Sequence, residues 1–270
     1  RRVTVHVHAP VVDDTGLYGR RYARGTSLQS TRRIVRALGA YEHYHDVDMG
    51  NAQPAWAADE LERILGREQA AARFPHIIEY AGPEREAVLK RLRQRLAPSQ
   101  GGAPAPLTRG KIKMLMLLPF FSSPTRRGHQ MIKSCGGKGT CSWFAKYLRE
   151  VQGSDKVQGA REVLLNAHPE FHNIAAHCPA QGVPGDERAW NTPSNGVGRA
   201  FALLAQTKED EVLTAITAGF EKRGMQVGAY VFDGLLVCRG EHDASEELEA
   251  VVSDVTDEVR TIFNLRYFRL

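Results

Sequence analysis

Helical spacing of apolar residues dominates the chain, and strand-like alternation is limited to a few short segments. Apolar positions that recur every three or four residues predict amphipathic helices, because such positions lie on one face of a helix. Pro54 begins one of these segments and Pro83 precedes another, as is common at the first turn of a helix. The predicted helices cover residues 27–38, 54–65, 84–96, 108–121, 140–151, 155–166, 196–223 and 245–263.

Short runs of β-branched and aromatic residues predict strands in addition to the helices. These strands cover residues 3–7, 41–47, 226–232, 235–238 and 265–270. Asp233-Gly234 lies between two of them, and Asp-Gly favours a two-residue hairpin turn. Residues 13–26 are predicted to form a basic loop, and Pro, Gly and Ser predict a linker at residues 98–106. We therefore expect an α+β fold.

The composition is that of an ordinary folded protein with a small basic excess. Of the 270 residues, 42% are hydrophobic and 25% are charged, which excludes a wholly disordered chain. The net charge of +5 permits a polyanionic partner without requiring one. No apolar run reaches the roughly 18 residues of a membrane span, so no membrane partner is expected. The four cysteines lack a paired spacing, which favours reduced thiols and an intracellular location.

Three aspartates lie at the ends of predicted strands, where a sheet can hold them rigidly. Asp46 and Asp48 close one strand, and Asp233 lies at the tip of an apolar hairpin. Carboxylates on neighbouring strands can bind two Mg²⁺ ions, which activate an attacking oxygen and stabilise a leaving oxygen in phosphoryl transfer. The pattern predicts Asp48 and Asp233 as metal ligands with Asp46 in support, although most Asp-Gly turns carry no chemistry.

Short motifs lie at residues 19–20, 27–29 and 33–38, and further motifs follow along the chain. The first three are similar to the TGR, NLQ and GRxIRxAF elements of the family A DNA polymerases. The order of all the motifs resembles that of this family and of the related single-subunit RNA polymerases. Arginine and amide side chains hold phosphate and groove positions without reading sequence. The resemblance implies that the primer-template is positioned by Arg20, Gln29 and Arg36.

Residues 48–54, Asp-Met-Gly-Asn-Ala-Gln-Pro, resemble motif A of these polymerases. In that motif an aspartate at a strand end binds metal, and the residue five positions later abuts the sugar of the incoming nucleotide. The resemblance assigns these roles to Asp48 and Gln53. Family A DNA polymerases have glutamate at the second position and family B enzymes have tyrosine. Gln53 therefore leaves the choice between deoxyribose and ribose open.

Arg109, Lys113, Leu117 and Phe121 recur every four residues, which is similar to motif B of the family, RxxxKxxxFxxxYG. Because residues four apart share a helix face, Arg109 and Lys113 can together grip a triphosphate. The resemblance places Phe121 near the nascent base pair. Leu117 departs from the phenylalanine of the motif and Phe121 from its tyrosine.

Two further matches lie in the last third of the chain. Residues 187–196 resemble the ERxAxNxPIQG element with one residue missing, which implies that Asn191 and Asn195 hold the template and primer. Residues 231–237 resemble motif C, VHDELV, with Asp233 as its metal-binding acid. Glycine replaces the second acid of that motif, so motif C supplies one carboxylate.

The resemblance implies a right-hand polymerase palm, in which helices back an antiparallel sheet, with a helical fingers insertion. Its parts are residues 1–54 with motif A, 55–186 with motif B and 187–270 with motif C. The implied function is template-directed nucleotidyl transfer, as in DNA polymerases, from nucleoside triphosphates to a primer 3′-hydroxyl. The implied cofactors are two Mg²⁺ ions, with Mn²⁺ as the alternative ion. The expected partners are a DNA or RNA primer-template and an accessory protein or a thumb region outside this sequence.

Three other functions stay open from the sequence. A primase-polymerase of the archaeo-eukaryotic type would use the Asp-x-Asp element at residues 46–48. A metal-dependent nuclease or phosphohydrolase would use the His-x-His pair His6 and His8, together with His43 and His45 before Asp46. A non-catalytic nucleic-acid-binding module would use the basic helix at residues 84–96, and its binding would survive the loss of the aspartates.

Overall fold

The computed structural model describes residues 7–8, 11–13, 16–18, 22–23, 43–95, 108–121, 142–154, 156–171, 196–231, 233–239 and 245–270. Within these residues the chain is α+β and mostly helical, as the sequence predicts. The strands are β1 (Val7–His8), β2 (Val11–Asp13), β3 (Gly16–Tyr18), β4 (Tyr22–Ala23), β5 (Tyr44–Asp48), β6 (Val227–Val231) and β7 (Gly234–Cys238). The helices are α1 (Ala52–Leu65), α2 (Arg67–Arg73), α3 (Pro75–Ala81), α4 (Arg85–Arg95), α5 (Arg109–Phe121), α6 (Ser142–Gln152), α7 (Ala160–Ala167), α8 (Gly196–Lys222) and α9 (Ser245–Phe263).

The chain divides into two compact units. The sheet unit combines Arg1–Trp56 with Ala205–Leu270, and the helical unit comprises Ala57–Leu204. The sheet unit joins segments that are far apart in sequence, because β5 at residues 44–48 pairs with β7 at residues 234–238. Two short antiparallel pairs, β1 with β4 and β2 with β3, also belong to this unit.

The main sheet has three antiparallel strands in the order β5–β7–β6, so β7 lies at its centre. Along β5 the register runs from Tyr44 opposite Cys238 to Asp48 opposite Gly234. On the other side of β7, Val231 also pairs with Gly234. The end of β5 and the β6–β7 turn therefore lie at the same end of the sheet.

One face of the sheet forms the core of its unit. Val47, Leu235 and Val237 are buried on this face and cluster with apolar side chains of α8 and α9. Ile216 on α8 and Val255 on α9 are fully buried members of the same cluster. Because side chains alternate along a strand, the neighbours of Val47 on β5 point to the opposite face. The helices thus cover one face and leave the two aspartates of β5 on the other.

The helical unit is held together by apolar and aromatic side chains. Helix α6 packs against α3, α5 and α7, and α4 packs against both α3 and α5. Tyr147 on α6 is completely buried, and its hydroxyl donates to the carbonyl of Met116 on α5 at 2.7 Å. Its ring contacts those of Tyr80 and Phe120 edge to face. No helix among the described residues is long and apolar enough to cross a bilayer.

Most of the sequence-predicted helices are confirmed where the chain is described, but several boundaries and elements differ. Helices α2 and α3 were not predicted, because α2 buries only Ala70 and so shows no apolar stripe. The strand predicted at residues 265–270 is wrong. This segment is irregular, packs through Tyr267 and Phe268, and makes one backbone bond to the β5–α1 turn, from Gly50 N–H to the Arg269 carbonyl.

Two further differences concern short segments. Residues 16–18 and 22–23, predicted as loop, form β3 and β4. Helix α7 begins at Ala160 rather than at residue 155, because an isolated bridge between Ser154 and Val157 precedes it. The predicted helix at residues 27–38 and the linker at residues 98–106 lie outside the described residues.

Candidate active site

The β5–α1 connection places Asp48 at the end of a paired strand. Asp48 is the last residue of β5, and the next backbone N–H, that of Met49, donates to the Asp233 carbonyl at 3.0 Å. Asn51 then adopts φ of 62°, a left-handed conformation that asparagine tolerates better than most residues. Its carbonyl accepts from Ala55 in the first turn of α1. A strand end, a tight turn and a helix start thus hold the backbone around Asp48.

Asp46 and Asp48 share the face of the sheet that α8 and α9 leave open. Both side chains are exposed, whereas Val47 between them is buried in the core of the sheet unit. This alternation confirms the expected common face of the two aspartates. Asp46 forms no ion pair with any residue that the structure describes.

Asp233 lies in the two-residue connection between β6 and β7. Val231 pairs with Gly234, so Asp233 is the second residue of the turn. The predicted Asp233-Gly234 turn is therefore wrong by one residue. Gly234 instead begins β7 and pairs with strands on both sides. Because Gly234 also pairs with Asp48 of β5, it belongs to the three-stranded sheet rather than to the turn.

Gly234 brings its strand unusually close to Asp48. A Cβ at this position would lie 2.7 Å from the Val47 carbonyl oxygen and 3.1 Å from Oδ1 of Asp48. Distances this short require the backbone or the carboxylate to move. Glycine is therefore the residue that allows the Asp48 carboxylate to lie directly over β7. Gly234 holds the position of the second acid in the predicted motif C, and a side chain could enter there only if these atoms moved.

The donor set at this edge suits a hard divalent cation. Carboxylate oxygens are preferred Mg²⁺ ligands, and Mg²⁺ commonly binds one or two carboxylates while waters and substrate phosphates complete its shell. Among the described residues, no group of three or more His, Cys, Asp or Glu side chains is arranged to hold a metal ion. Metal ligation by Asp48 and Asp233, with the remaining ligands coming from outside the protein, therefore stays a prediction.

Gln53 lies in the first turn of α1 and is held by a buried acid. Its Nε2 donates to Oε2 of Glu209 on α8 at 3.3 Å. Gln53 is half-buried, whereas Glu209 is 5% exposed. The amide predicted to abut a nucleotide sugar is thus oriented from behind by a carboxylate that sequence reasoning missed. Glu209 lies in the charged run Lys208-Glu209-Asp210-Glu211 of α8, so no local signal distinguished it from its neighbours.

Arg109 and Lys113 lie on α5 in the helical unit. Arg109 is exposed and donates through Nε and Nη2 to the two carboxylate oxygens of Glu86 on α4, at 3.1 and 2.5 Å. The hydrogen bond from Arg109 lowers the pKa of Glu86 against the effect of burial, and smaller electrostatic contributions come from Arg109, then Arg85, then Lys113. The two predicted triphosphate ligands thus share one anionic neighbour, and their positive field already acts on a carboxylate.

Phe121 ends α5 against other aromatic residues. Its ring is half-buried and lies 5.7 Å from that of Phe201. The carbonyls of Pro119 and Phe120 accept hydrogen bonds from the buried guanidinium of Arg161. Burial lowers the pKa of Arg161, and Glu162 partly opposes this effect. The end of α5 is therefore anchored, and Phe121 is positioned by packing.

The predicted primer-template residues lie outside the described residues. These are Arg20, Gln29, Arg36, Asn191 and Asn195. The histidine cluster beside Asp46 is not supported, because His45 and Asp46 are consecutive on β5 and point to opposite faces. The proposed nuclease site therefore loses one of its histidines from the aspartate face.

Several carboxylates of the helical unit belong to networks that the sequence did not reveal. Glu150 accepts from the backbone N–H groups of His76 and Ile77 at the start of α3, and also bonds the His76 ring. Glu79 accepts from Trp143 at 2.6 Å and from Arg91 at 2.5 Å. These acids join helices that are distant in sequence, so they have a structural role.

Glu60 forms another such network, with Arg63 and His168. The Arg63 guanidinium donates to both carboxylate oxygens, and Nε2 of His168 lies 2.7 Å from Oε1. Burial raises the pKa of Glu60, but the hydrogen bonds outweigh burial and bring the pKa down to about 2. The spacing of Glu60 and Arg63 on one helix was a signal available in the sequence.

The chemistry of the sheet edge has to be inferred from these side chains alone, because the chain matches no protein-family model and no curated protein.

Proposed function

We propose that this protein is a template-directed nucleotidyltransferase that extends a primer 3′-hydroxyl from nucleoside triphosphates. In this proposal the sheet unit acts as the palm and the helical unit supplies the fingers. The observation that carries the proposal is the meeting of Asp48 and Asp233 at one end of two adjacent antiparallel strands, joined by the Met49–Asp233 backbone bond. The backbones that carry these two acids, far apart in sequence, thus meet at one end of the sheet.

The reaction transfers a nucleotidyl group to the primer. A bond forms between the 3′-oxygen and the α-phosphorus, the bond to the β-phosphate oxygen breaks, the hydroxyl loses its proton and pyrophosphate leaves. Asp48 and Asp233 present carboxylate oxygens from a paired backbone that cannot reorganise easily. Two bound Mg²⁺ ions would supply activation of the attacking oxygen and stabilisation of the leaving oxygen. Asp46, on the same face, adds negative charge that favours cation binding.

The cations of α5 would bind the triphosphate. Arg109 and Lys113 already act together on Glu86, as two cations on one helix face would act on a phosphate chain. Phe121, anchored at the end of this helix, would contact the base. Gln53 would lie under the sugar, with Glu209 holding its amide. Arg20, Gln29, Arg36, Asn191 and Asn195 would position the primer and template.

Primer extension with Mg²⁺ tests this function directly. Parent protein, Asp48→Asn and Asp233→Asn are compared on one labelled primer-template, with deoxynucleotides and ribonucleotides in separate reactions. Asp257→Asn, which changes an exposed aspartate of α9, is the matched control. We expect extension by the parent and the control, and a loss of more than about 100-fold in either site variant. Full extension by Asp233→Asn would contradict the proposal.

A primase-polymerase is the second candidate, because Asp46 and Asp48 share the open face as an Asp-x-Asp metal site requires. The two candidates differ in their need for a primer. A reaction with template and nucleotides but no primer therefore separates them. Product formation that depends on Asp46 as strongly as on Asp48 would favour the primase-type enzyme.

A further inference from the structure

Helices α4 and α5 concentrate the positive charge of the chain. Together they carry eight Lys or Arg residues and one acid, Glu86, an excess larger than the +5 of the whole protein. The helices pack against each other. The remaining residues therefore carry a small net negative charge, and a polyanion would be drawn to this pair of helices.

The structure separates the structural cations of α4 from those that are available. Arg91 turns inward, where it pairs with Glu79 and lies over the Trp143 ring. Lys90 and Arg93 are exposed and make no ion pair with any described residue. They lie three residues apart on α4 and share an exposed surface beside the buried Val88, Leu89 and Leu92.

Glu86, the acid within α4, is already paired. Glu86 lies four residues before Lys90, a spacing at which a helix commonly forms an ion pair. Its carboxylate instead accepts two hydrogen bonds from Arg109 on α5, one from Nε and one from Nη2. Lys111 on α5 is also exposed and unpaired among the described residues. An outer surface of long cationic side chains is therefore left without internal counter-charge.

We propose that the exposed face of α4, with Lys90 and Arg93, binds the phosphodiester backbone of a nucleic-acid strand. The fully exposed side chains described on α4 and α5 include no aromatic ring that could stack on bases. Contacts to phosphates alone position a strand without reading its sequence. This surface extends the proposed function, since it gives a binding site for its template or primer, but the binding does not require catalysis.

Salt-dependent binding tests the surface. Fluorescence anisotropy of labelled single-stranded and duplex DNA is measured from 50 to 200 mM salt for the parent and for Lys90→Gln/Arg93→Gln. Two lost phosphate contacts reduce the slope of log affinity against log salt by about 1.4 to 1.8. We therefore expect at least about a tenfold rise in Kd at 100 mM salt. Two oligonucleotides of unrelated sequence should show the same change.

The control changes two lysines whose charges are already paired. Lys208 binds Glu211 and Lys222 binds Glu258, so Lys208→Gln/Lys222→Gln should leave the slope unchanged. Arg91→Gln should lower the melting temperature while keeping the slope of the parent. An unchanged slope of log affinity against log salt in Lys90→Gln/Arg93→Gln would overturn the proposal. A loss of affinity no larger than that of the paired-lysine control would also overturn it. Binding to phosphatidylserine vesicles but not to DNA would also overturn it.

This experiment separates the surface from the active site. DNA binding by Asp48→Asn without extension, lost in Lys90→Gln/Arg93→Gln, supports both proposals. Binding that depends on Lys90 and Arg93 in a parent protein that extends no primer would retain the surface and reject the polymerase. Extension by the Lys90→Gln/Arg93→Gln protein with unchanged affinity would reject the surface alone.

Discussion

Carboxylates occupy opposite roles in the two units of this protein. In the helical unit Glu60, Glu79 and Glu150 each have two or more hydrogen-bonding partners, and at least one of these comes from another helix or turn. In the sheet unit Asp46 and Asp233 form no ion pair with the described residues, although the backbone around them is tightly paired. The contrast distinguishes acids that stabilise the fold from acids that are held in place yet left available.

Glu150 is an example of an acid in the helical unit whose hydrogen bonds stabilise the fold. Burial raises the pKa of Glu150, while the His76 ring and the N–H groups of α3 favour the charged form. The carboxylate satisfies donors at a helix start that would otherwise lack partners. A carboxylate that accepts these hydrogen bonds at a helix start is expected to stabilise the fold rather than to take part in catalysis. Asp46 and Asp233 form no such ion pair among the described residues, so we propose the sheet edge as the place of the chemistry.

The largest effect is expected from Gly234→Ala, which attacks the sheet edge without removing any charge. Its Cβ would lie 2.7 Å from the Val47 carbonyl and 3.1 Å from Oδ1 of Asp48, so the strand or the carboxylate must move. Overpacking of this kind costs about 1–3 kcal/mol of unfolding free energy. A displacement of about 1 Å in a reacting group can cost about 100-fold in rate. We expect both losses, measured by urea unfolding and primer extension.

Gly110→Ala on α5 is the matched control in the helical unit. A Cβ there meets no atom within 4 Å, and alanine favours a helix over glycine by about 1 kcal/mol. This variant should be as stable as the parent or more so. Wild-type extension by a folded Gly234→Ala protein would show that the close approach to Asp48 has no part in the activity.

A smaller effect is expected from Glu60→Gln in the helical unit. Because its pKa falls from 4.5 to about 2 on folding, the Glu60 carboxylate stabilises the protein at neutral pH. After allowance for solvent screening, we expect a loss of about 1–2 kcal/mol at pH 7. The contribution is fully present above pH 4.5 and disappears as the pH falls towards 2.

Urea unfolding at pH 7 and pH 3.5 measures this change. The difference in unfolding free energy between the parent and Glu60→Gln should be smaller at the lower pH. At pH 3.5 the Glu60 carboxyl is protonated in most unfolded molecules but stays ionised in the folded protein, which favours unfolding of the parent. Glu68→Gln, an exposed carboxylate of α2, should show little difference at either pH. A gap that widens on acidification would contradict the assigned direction of the pKa shift.

The sequence predicted the elements of the sheet edge better than their pairing. Alternating apolar residues located β5, β6 and β7, and the apolar spacing located α1 and α8. The turn at Asp233 was misplaced by one residue, because Asp-Gly is a local signal. The hydrogen bonds from β5 that draw Gly234 into the ladder come from the other end of the chain.

The partners of the candidate residues were harder to predict for the same reason. The Glu60–Arg63 pair lies on one helix and follows from its spacing. The contacts of Glu209 with Gln53 and of Glu86 with Arg109 bring together separate elements, and no local pattern specifies them. The sequence therefore singled out candidate residues but not the groups that orient them or pair with them.

The smallest effect is expected from Glu86→Gln, which tests whether the cations of α5 act on phosphate. The Arg109–Glu86 pair is exposed, so its loss should change the unfolding free energy by less than about 1 kcal/mol. The carboxylate nevertheless competes with any anion that approaches Arg109 and Lys113. Its removal should lower the KM for nucleoside triphosphate about two- to threefold at low salt, with kcat unchanged and a weaker effect at high salt.

Glu211→Gln is the matched control for this comparison, because Glu211 pairs with Lys208 at the surface of the sheet unit. It should leave KM unchanged. Direct titration with a non-hydrolysable triphosphate measures the same affinity without turnover. If Glu86→Gln raised KM, Glu86 would be aiding the substrate rather than competing with it, and Arg109 would depend on this carboxylate for its orientation. If KM were unchanged at low salt, Arg109 would not bind the nucleotide, and the proposed function would then depend on Asp48 and Asp233 at the sheet edge.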